Sequence, residues 1–592
     1  MFSFASSFKK VNALIIFSIL ISAGGFASYA SASEIVAAPF NPHFVEWQKK
    51  IDEAKTSSPA KGSTGDQAAE AFYGYVPSPV NWLHLKNEVY RVVKTTNKRG
   101  TIPASYDLRS EMPSVRNQGG YRTSWIFSAM AAAESNLIHD KKLLTKDNAD
   151  LSEWYLAYYA FNDESEDLPS MSFYSGYGTI NYYDAGGNDW KAVALLARGT
   201  GFLDESSAAY PDPQTEANAY KPDVQARKYK LKNALYLGNL GGSMTWLRGD
   251  RIATIKEAMR TYGAVSIGIK HNQDKNPDET YKYYNSTTFA YFKGTDPVAA
   301  DHAVTVVGWD DNYDKSKFNE LYRPVNNGAW IVRNSWGSGW GDSGYYYVSY
   351  EEGALWDGVV YDTVAAPENE KIYQYDPLGF CNFISYFFVK PAYFANIFTA
   401  SRNEKINSVS FYTSRPNSEC TIEIFKDCGN DPKGGTRVAE KSVTITAPGY
   451  NTVDLDSAAE IPKNVTFSVV VSILKPDILV QAIPVEYPVD YYSDKTTASA
   501  GQSFISRDGT TWEDLTEFKG YLGNENYEKA NVCIKAFGTE NEPPYEPPYE
   551  PPYEPPYEPP AGGGRSGCST GPVMLILLSL GALPLIYKGR KQ

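Results

Sequence analysis

The spacing of apolar side chains changes from helical to strand-like along the chain. Three segments with apolar positions at helical spacing come first, at residues 124–138, 143–161 and 190–198. Short β-branched or aromatic runs bounded by glycine and aspartate follow, at residues 264–269, 303–309, 329–333 and 345–349. Helices followed by antiparallel strands predict an α+β domain with a helical lobe and a β-rich lobe.

A second pattern begins near residue 361 and continues to residue 539. Alternating apolar and polar positions, separated by Gly, Pro, Asn and Asp, predict strands at residues 408–413, 421–425 and 466–473. Many short strands joined by turns are typical of a β-sandwich. We therefore predict a second, all-β domain after the first.

Both ends of the chain have the composition of targeting or linking segments. A basic start, a short apolar run and a small-residue motif ending at Ala32 predict a secretory signal peptide over residues 1–32. The alternative, an N-terminal membrane anchor, fits less well because the apolar run is short. Residues 33–100 form an N-terminal extension, in which residues 75–80 are expected to be extended. They could lie across the domain surface or cleft, but we expect a plain tether. Four PPYE repeats predict an extended Pro-rich linker over residues 541–564.

Residues 565–592 combine a small-residue motif around Cys568, an apolar stretch and a basic end. They resemble bacterial C-terminal sorting signals, in which a membrane peptidase cuts near the motif and transfers the protein to the surface. A permanent tail anchor through this transmembrane segment is the alternative. Either reading predicts export across the plasma membrane and attachment to the cell surface or outer membrane.

Charge and residue spacing exclude several kinds of partner. The formal net charge is −13, so nucleic acid is not expected as a partner. The five histidines are dispersed, and the sequence has no cysteine before Cys381, so no zinc-ligand spacing appears. We predict neither a metal site nor a cofactor.

Ser124 has a distinctive position at the start of the first predicted helix. Thr123 is its predicted N-cap, and the positive end of the helix dipole favours an anion developing at Ser124. Two later polar residues, His302 and Asn334, each adjoin a predicted strand. A hydroxyl, an imidazole and an amide are the components of a nucleophilic site.

These segments resemble the papain family of cysteine peptidases. The matching motifs, in the family's order, are Tyr106-Asp107-Leu108-Arg109, Asn117-Gln118-Gly119, Trp125-Ile126-Phe127-Ser128, Leu151-Ser152-Glu153, Gly186-Gly187-Asn188-Asp189-Trp190, Tyr210-Pro211, Asp301-His302-Ala303-Val304 and Asn334-Ser335-Trp336. The resemblance implies a papain-like two-lobe domain over residues 101–362, with a helical lobe and an antiparallel β-barrel-like lobe.

The resemblance also implies catalytic roles. His302 would relay the proton, Asn334 would orient His302, and Trp336 would shield their contact from water. Gln118 would be the side-chain donor of the oxyanion hole, with the backbone N–H of Ser124 as the second donor.

The resemblance implies a substrate-binding cleft around the same residues. In the family, a Gly-Gly pair offers backbone hydrogen bonds to an extended peptide. The predicted substrate-binding residues are Gly186, Gly187, Arg122, Trp336 and Asp301.

Three departures from the family pattern lie within four residues. Ser124 replaces the nucleophilic cysteine, Tyr121 replaces a half-cystine, and Arg122 replaces a glycine beside the cleft. Loss of the nucleophile costs a hydrolase roughly 10^6-fold in turnover, so we expect a peptidase homologue that binds extracellular peptides or proteins with little or no turnover. The alternatives are an active peptidase with Ser124 as nucleophile, and a sequence error or engineered replacement.

Residues 363–540 resemble the lectin-like domain appended to some bacterial papain-family proteins. The matching segments are 395–398, 409–412, 449–453 and 501–504. This resemblance adds glycans as a class of partner and glycan adhesion as an alternative function. In an oxidising compartment, Cys420 could pair with Cys428 across a hairpin, and Cys381 with Cys533.

Overall fold

The computed structural model describes most of residues 35–541. The described residues are 35–56, 73–85, 88, 90–92, 101–162, 169–171, 185–211, 221–222, 227–238, 248–386, 389–518 and 527–541. The predicted signal peptide, the C-terminal tail and the Pro-rich linker after residue 541 lie outside them. No helix in these ranges is both long and apolar enough to cross a membrane.

The helices lie in the N-terminal extension and the first domain. In the described ranges they are α1 Pro42–Thr56, α2 Ser124–His139, α3 Glu153–Phe161, α4 Asp189–Ala197 and α5 Arg248–Tyr262. Two predicted helices are confirmed as α2 and α4.

The helix predicted over residues 143–161 is wrong in its first half. The side chain of Asn148 accepts a hydrogen bond from Thr145 N at 2.7 Å, which favours a local turn over a helix. Ser152 then caps α3, because its hydroxyl accepts from Tyr155 N at 2.9 Å.

The strands fill the rest of the described chain. They are β1 Ile35–Ala37, β2 Ser105–Asp107, β3 Tyr229–Gly238, β4 Val265–Ile269, β5 Tyr284–Asn285, β6 Ala290–Tyr291, β7 His302–Asp310, β8 Ala329–Arg333, β9 Tyr345–Ser349, β10 Leu355–Ala365, β11 Lys371–Tyr373, β12 Asn382–Tyr386, β13 Ala392–Thr399, β14 Glu404–Thr413, β15 Ser418–Lys426, β16 Thr436–Ile445, β17 Gly449–Ile461, β18 Thr466–Leu474, β19 Ile483–Glu486, β20 Ser503–Ser506, β21 Trp512–Asp514, β22 Asn531–Val532 and β23 Ile534–Glu540. The four strands predicted for the first domain are confirmed as β4, β7, β8 and β9.

One sheet of 13 strands runs through both halves of the described chain. Its order is β11-β23-β14-β17-β3-β10-β4-β7-β8-β9-β6-β5, with β2 paired to β7. The sheet passes from one half to the other where β17 pairs with β3, Gly449 opposite Leu235 and Tyr450 opposite Ala234. The two halves are therefore joined by backbone hydrogen bonds and form one compact unit.

The C-terminal half is a β-sandwich, as predicted. A six-stranded sheet with the order β16-β15-β18-β13-β20-β21 faces strands β11, β23, β14 and β17 of the long sheet. The buried core between them takes side chains from both sheets, including Ile422 and Val469 from one and Ile406 and Phe411 from the other. With the helical lobe and its β-rich partner, the chain has an α+β fold.

The N-terminal extension is built into this fold. Strand β1 pairs antiparallel with β12, and α1 places Phe44 in the core of the β-sandwich. Further along, Trp82 is buried and stacks on Tyr236 of β3 with ring centroids 4.5 Å apart, and it also contacts Phe383 of β12. The extension therefore contacts both halves of the chain before it reaches the first domain.

The two predicted disulfides are wrong, since Cys381, Cys420, Cys428 and Cys533 are buried free thiols. Cys420 lies in β15, a continuous strand rather than a hairpin, and Cys428 packs in a separate cluster with Phe425. Cys381 and Cys533 flank opposite sides of β19, whose backbone carbonyls accept from their N–H groups. Two strand spacings of about 4.8 Å separate them, beyond disulfide reach.

Candidate active site

Ser124 is the first residue of α2 and is fully buried. Its Oγ accepts a hydrogen bond from the backbone N–H of Ala303 at 3.2 Å, which places the hydroxyl beside the residue that follows His302. Thr123 occupies the N-cap position as predicted, but its side chain makes no capping bond. The Thr123 hydroxyl instead hydrogen-bonds the hydroxyl of Tyr210 at 2.6 Å.

The loop before α2 is fixed by a half-buried arginine. Arg116 forms ion pairs with Glu134 of α2 at 2.9 Å and with Glu153 of α3 at 2.6 Å. Both carboxylates are buried, so removing the arginine would leave them without their paired charge. This arrangement ties the loop that contains Gln118 to the later turns of α2 and to the start of α3.

His302 and Asn334 are brought together from the starts and ends of two paired strands. His302 begins β7, and Asn334 directly follows β8. The His302 Nε2 lies 2.8 Å from the Asn334 Oδ1, and the indole of Trp336 stacks on the imidazole with centroids 5.1 Å apart. Donation from Nε2 to Asn334 corresponds to the tautomer in which Nδ1 holds the lone pair.

Burial disfavours the protonated form of the His302 imidazole. Burial lowers its pKa to about 4, although the hydrogen bond to Asn334 acts in the opposite direction. Among the described residues, Nδ1 of His302 has no hydrogen-bond partner. The base and the Ser124 hydroxyl are therefore not paired with each other.

Gln118 uses its side chain to hold two backbone carbonyls. Its Nε2 donates to the carbonyl of Tyr73 at 3.0 Å and to that of Tyr121 at 2.6 Å. Its Oε1 accepts from the hydroxyl of Ser335 at 2.6 Å, which fixes the orientation of the amide. The donor assigned to the oxyanion hole by the sequence resemblance thus contacts a carbonyl of the N-terminal extension.

Residues 73–76 lie in the cleft between the two lobes, and we call them the cleft segment. On one side, the N–H groups of Tyr73 and Tyr75 lie 3.1 and 3.3 Å from the carbonyl of Asp301. On the other, Val76 N donates to Gly187 O at 2.7 Å, and Gly187 N donates to Gly74 O at 2.8 Å. The expectation that this part of the extension is a plain tether is therefore wrong, and the alternative, an extended segment in the cleft, is confirmed for Tyr75 and Val76.

The side chains of the cleft segment fill two pockets. The ring of Tyr73 lies 5.1 Å from His302 and 5.2 Å from Trp336 between centroids. The hydroxyl of Tyr75 donates to Asp357 Oδ2 at 2.7 Å inside the core. The cleft segment thus covers the imidazole and explains why His302 has no exposed surface.

The predicted substrate-binding residues line this cleft. Gly187 must be glycine, because a Cβ there would lie 2.5 Å from the indole of Trp125, and Gly186 has φ +69°. Asp301 contacts the cleft segment through its carbonyl, while its carboxylate pairs with Lys270 at 2.9 Å. The backbone carbonyl of Arg122 lies against Gly74.

Three residues of the site were not recognised from the sequence. They are Tyr73, Asp357 and His271. Buried His271 stacks on Tyr291 with centroids 5.1 Å apart, and its edge contacts Trp336 at 4.8 Å. Neither Asp357 nor His271 lies in a motif that resembles the family's site, so no local signal pointed to them.

Comparison with known proteins agrees with this geometry. Residues 102–356 match the model of the papain family cysteine proteases. Residues 102–356 therefore belong to the papain family. Residues 372–538 match the model of the lectin-like domain, so a papain-family domain is followed by a lectin-like domain.

Similar proteins include enzymes from mites and plants. A cysteine protease of Blomia tropicalis is 25% identical over 280 residues, which are 47% of this chain and 69% of that protein. The senescence-specific cysteine protease SAG12 of Arabidopsis thaliana is 27% identical over 249 residues, 42% of this chain and 56% of that protein.

A solved structure is similar over both domains. It contains the cysteine protease and lectin-like domains of Cwp84, a surface layer associated protein of Clostridium difficile. The identity is 23%, the TM-score is 0.66, and the match covers 87% of this chain and all of that one. A second Cwp84 structure, after propeptide cleavage, gives a TM-score of 0.61 at 24% identity, with 74% of this chain and 99% of that one covered. At these identities the likeness shows a shared fold.

Proposed function

We propose that this chain is an exported surface protein whose papain-family domain binds extended peptides or proteins without cleaving them. The supporting observation is the cleft itself, which holds an extended segment by backbone hydrogen bonds while the Ser124 hydroxyl and His302 are not paired. Backbone pairing of this kind binds peptides by adding an extended segment to an exposed edge.

The chemistry of Ser124 supports binding without turnover. A cysteine at this position can be stored as a thiolate, but a serine must transfer its proton to a base during attack. Ser124 Oγ instead accepts from a backbone N–H, and His302 lacks the hydrogen bond that would receive the proton. Since the nucleophile typically contributes roughly 10^6-fold to hydrolysis, the site is expected to be nearly silent.

Surface location supports extracellular partners. The predicted signal peptide and C-terminal sorting signal give this chain a route to the surface, and Cwp84, which shares the fold, is a surface layer associated protein. Glycans are a second proposed class of partner through the lectin-like domain.

The test measures which peptides the full-length chain binds and which it cleaves when the cleft is opened by a substitution. Gly74→Ala opens the cleft, since a Cβ there would lie 2.3 Å from the carbonyl oxygen of Arg122. A peptide library is incubated with Gly74→Ala alone and with Gly74→Ala combined with Ser124→Cys, and bound and cleaved peptides are identified by mass spectrometry. We expect retention without cleavage by the serine form.

The cysteine form separates two causes of silence. Cleavage by the cysteine form alone would indicate a site disabled at one atom, whereas cleavage by neither form would implicate Arg122 as well. Rapid hydrolysis by the serine form that disappears on His302→Ala would refute the proposal.

An active serine peptidase is the second candidate function. A neutral imidazole is the form that a serine nucleophile requires, and burial favours this form of His302, which is hydrogen-bonded to Asn334. In this candidate Ser124 attacks the peptide carbonyl, His302 takes its proton, and Gln118 stabilises the oxyanion. The His302→Ala comparison decides between the two candidates.

A further inference from the structure

Each residue from 73 to 75 meets a different chemical demand of the cleft. We infer that the cleft recognises a peptide of another protein that presents an aromatic residue, a glycine and a tyrosine in sequence. This inference rests on the proposed peptide binding, and it takes the cleft segment as a template for the ligand.

The central position accepts glycine alone. Gly74 has φ +120°, a conformation that L side chains rarely adopt. A Cβ at this position would lie 2.3 Å from the carbonyl oxygen of Arg122 and 3.0 Å from its Cα. Both atoms belong to the backbone and cannot move aside as a flexible side chain would. A ligand bound in the same way needs glycine here.

The third position selects a phenol. The Tyr75 ring packs against Gly268, where a Cβ would come within 2.8 Å of the ring. At the end of the pocket, Asp357 Oδ2 accepts from the Tyr75 hydroxyl at 2.7 Å, and Oδ1 accepts from the Tyr236 hydroxyl at 3.2 Å. Asp357 is 8% exposed, so a ligand without a donor would lose a hydrogen bond to a buried carboxyl group.

The first position selects an aromatic ring without requiring its hydroxyl. The ring of Tyr73 is in contact with three others, those of His302, Trp336 and His271, at centroid distances of 5.1, 5.2 and 5.9 Å. These tilted and edge contacts are the arrangements that aromatic rings favour. Phenylalanine provides the same faces and edges as tyrosine.

Backbone pairing fixes the register of the three positions. The carbonyl of residue 73 accepts from Gln118, and the carbonyl of residue 74 accepts from Gly187 N. Residue 75 pairs in parallel with Gly187. An extended peptide held by these bonds places its first residue among the rings of His302, Trp336 and His271. Its second residue lies against the backbone of Arg122, and its third reaches Asp357.

The test measures binding of short peptides to the full-length Gly74→Ala variant by isothermal titration calorimetry. The probes are acetylated, amidated tetrapeptides with the sequences Tyr-Gly-Tyr-Val, Phe-Gly-Tyr-Val, Tyr-Gly-Phe-Val, Ala-Gly-Tyr-Val and Tyr-Ala-Tyr-Val. We expect the first two to bind within about 2-fold of each other. Loss of the third-position hydroxyl should weaken binding about 10-fold or more, because a bond to a buried carboxylate is lost.

The remaining two of the five peptides and one protein variant complete the test. Alanine at the first position should cost about 10-fold through lost ring burial, and alanine at the second should abolish measurable binding. Asp357→Asn in the same background should reduce the preference for tyrosine over phenylalanine at the third position, because a neutral acceptor bonds more weakly. If Asp357→Asn does not fold, the peptide series alone decides the test.

Two failures are distinguishable. Equal binding of all five peptides would overturn the sequence preference and leave peptide binding in place. Absence of binding by these peptides and by a peptide library would overturn both the preference and the proposed function.

Discussion

Removal of one hydroxyl should open the cleft segment. In Tyr75→Phe the ring remains, but the 2.7 Å hydrogen bond to the buried Asp357 is lost. Hydrogen bonds to charged groups contribute about 1.5–3 kcal/mol, so we take a loss of about 2 kcal/mol in the free energy that keeps the segment closed. Since 1.4 kcal/mol is a factor of ten, the open population should rise about 30-fold.

Amide hydrogen exchange reports this opening directly. The Val76 N–H donates to Gly187 O and the Tyr73 N–H lies on Asp301 O, so both become exchangeable when the segment leaves the cleft. We expect both amides to exchange about 30-fold faster in Tyr75→Phe, with little change in the core amides of α2.

Tyr236→Phe is the matched control. It removes the Tyr236 hydroxyl, which donates to Asp357 Oδ1 at 3.2 Å. Because Tyr236 lies in β3, this hydrogen bond is present whether the cleft segment is open or closed. It should lower global stability without selectively accelerating exchange at Val76. If the two variants accelerate Val76 equally, or neither does, Tyr75 does not hold the segment in place.

Three further predictions concern charge, reactivity and thiols. Burial raises the pKa of Asp189 from 3.8 to about 7, so the folded state keeps a proton that the unfolded state releases. The free energy of unfolding should therefore fall as pH rises from about 4 to 7. Chemical denaturation across this pH range should show a shallower fall for Asp189→Asn than for the wild type. In Ser124→Cys, the new thiol lies beneath the cleft segment and should react slowly with iodoacetamide. The reaction should be faster when Gly74→Ala is also present. Intact-mass measurement follows the added alkyl group, with the wild-type chain as the background control. Without reductant, unfolding should expose four alkylatable thiols in the described residues, and resistance to alkylation would contradict the free state of Cys381, Cys420, Cys428 and Cys533.

Local patterns predicted the elements that are defined by local spacing. The helix that begins at Ser124 and the strand that begins at His302 follow from apolar periodicity, and their place in one site followed from family motifs. The contact of Tyr75 with Asp357 joins residues 282 positions apart, and no periodicity encodes such a contact.

The errors have similar physical origins. The side chain of Asn148 ends a pattern that apolar spacing alone would continue as a helix. The proposed cysteine pairs were judged by their spacing in sequence, whereas the extended form of β15 and the interposed β19 keep the thiols apart. Backbone pairing of the extension with the cleft also depends on tertiary contacts with Asp301 and Gly187.

The sheet shared by the two domains affects how the protein can be divided for experiments. A cut near residue 362 would strip β3 of its neighbour β17 and give each fragment an open strand edge, a known route to aggregation. The fragment that begins at residue 363 would also lack β1, which is the edge strand of the four-stranded sheet β1-β12-β19-β22 and pairs with β12. Reagents that interrogate either half are therefore best made by point substitution within an intact polypeptide.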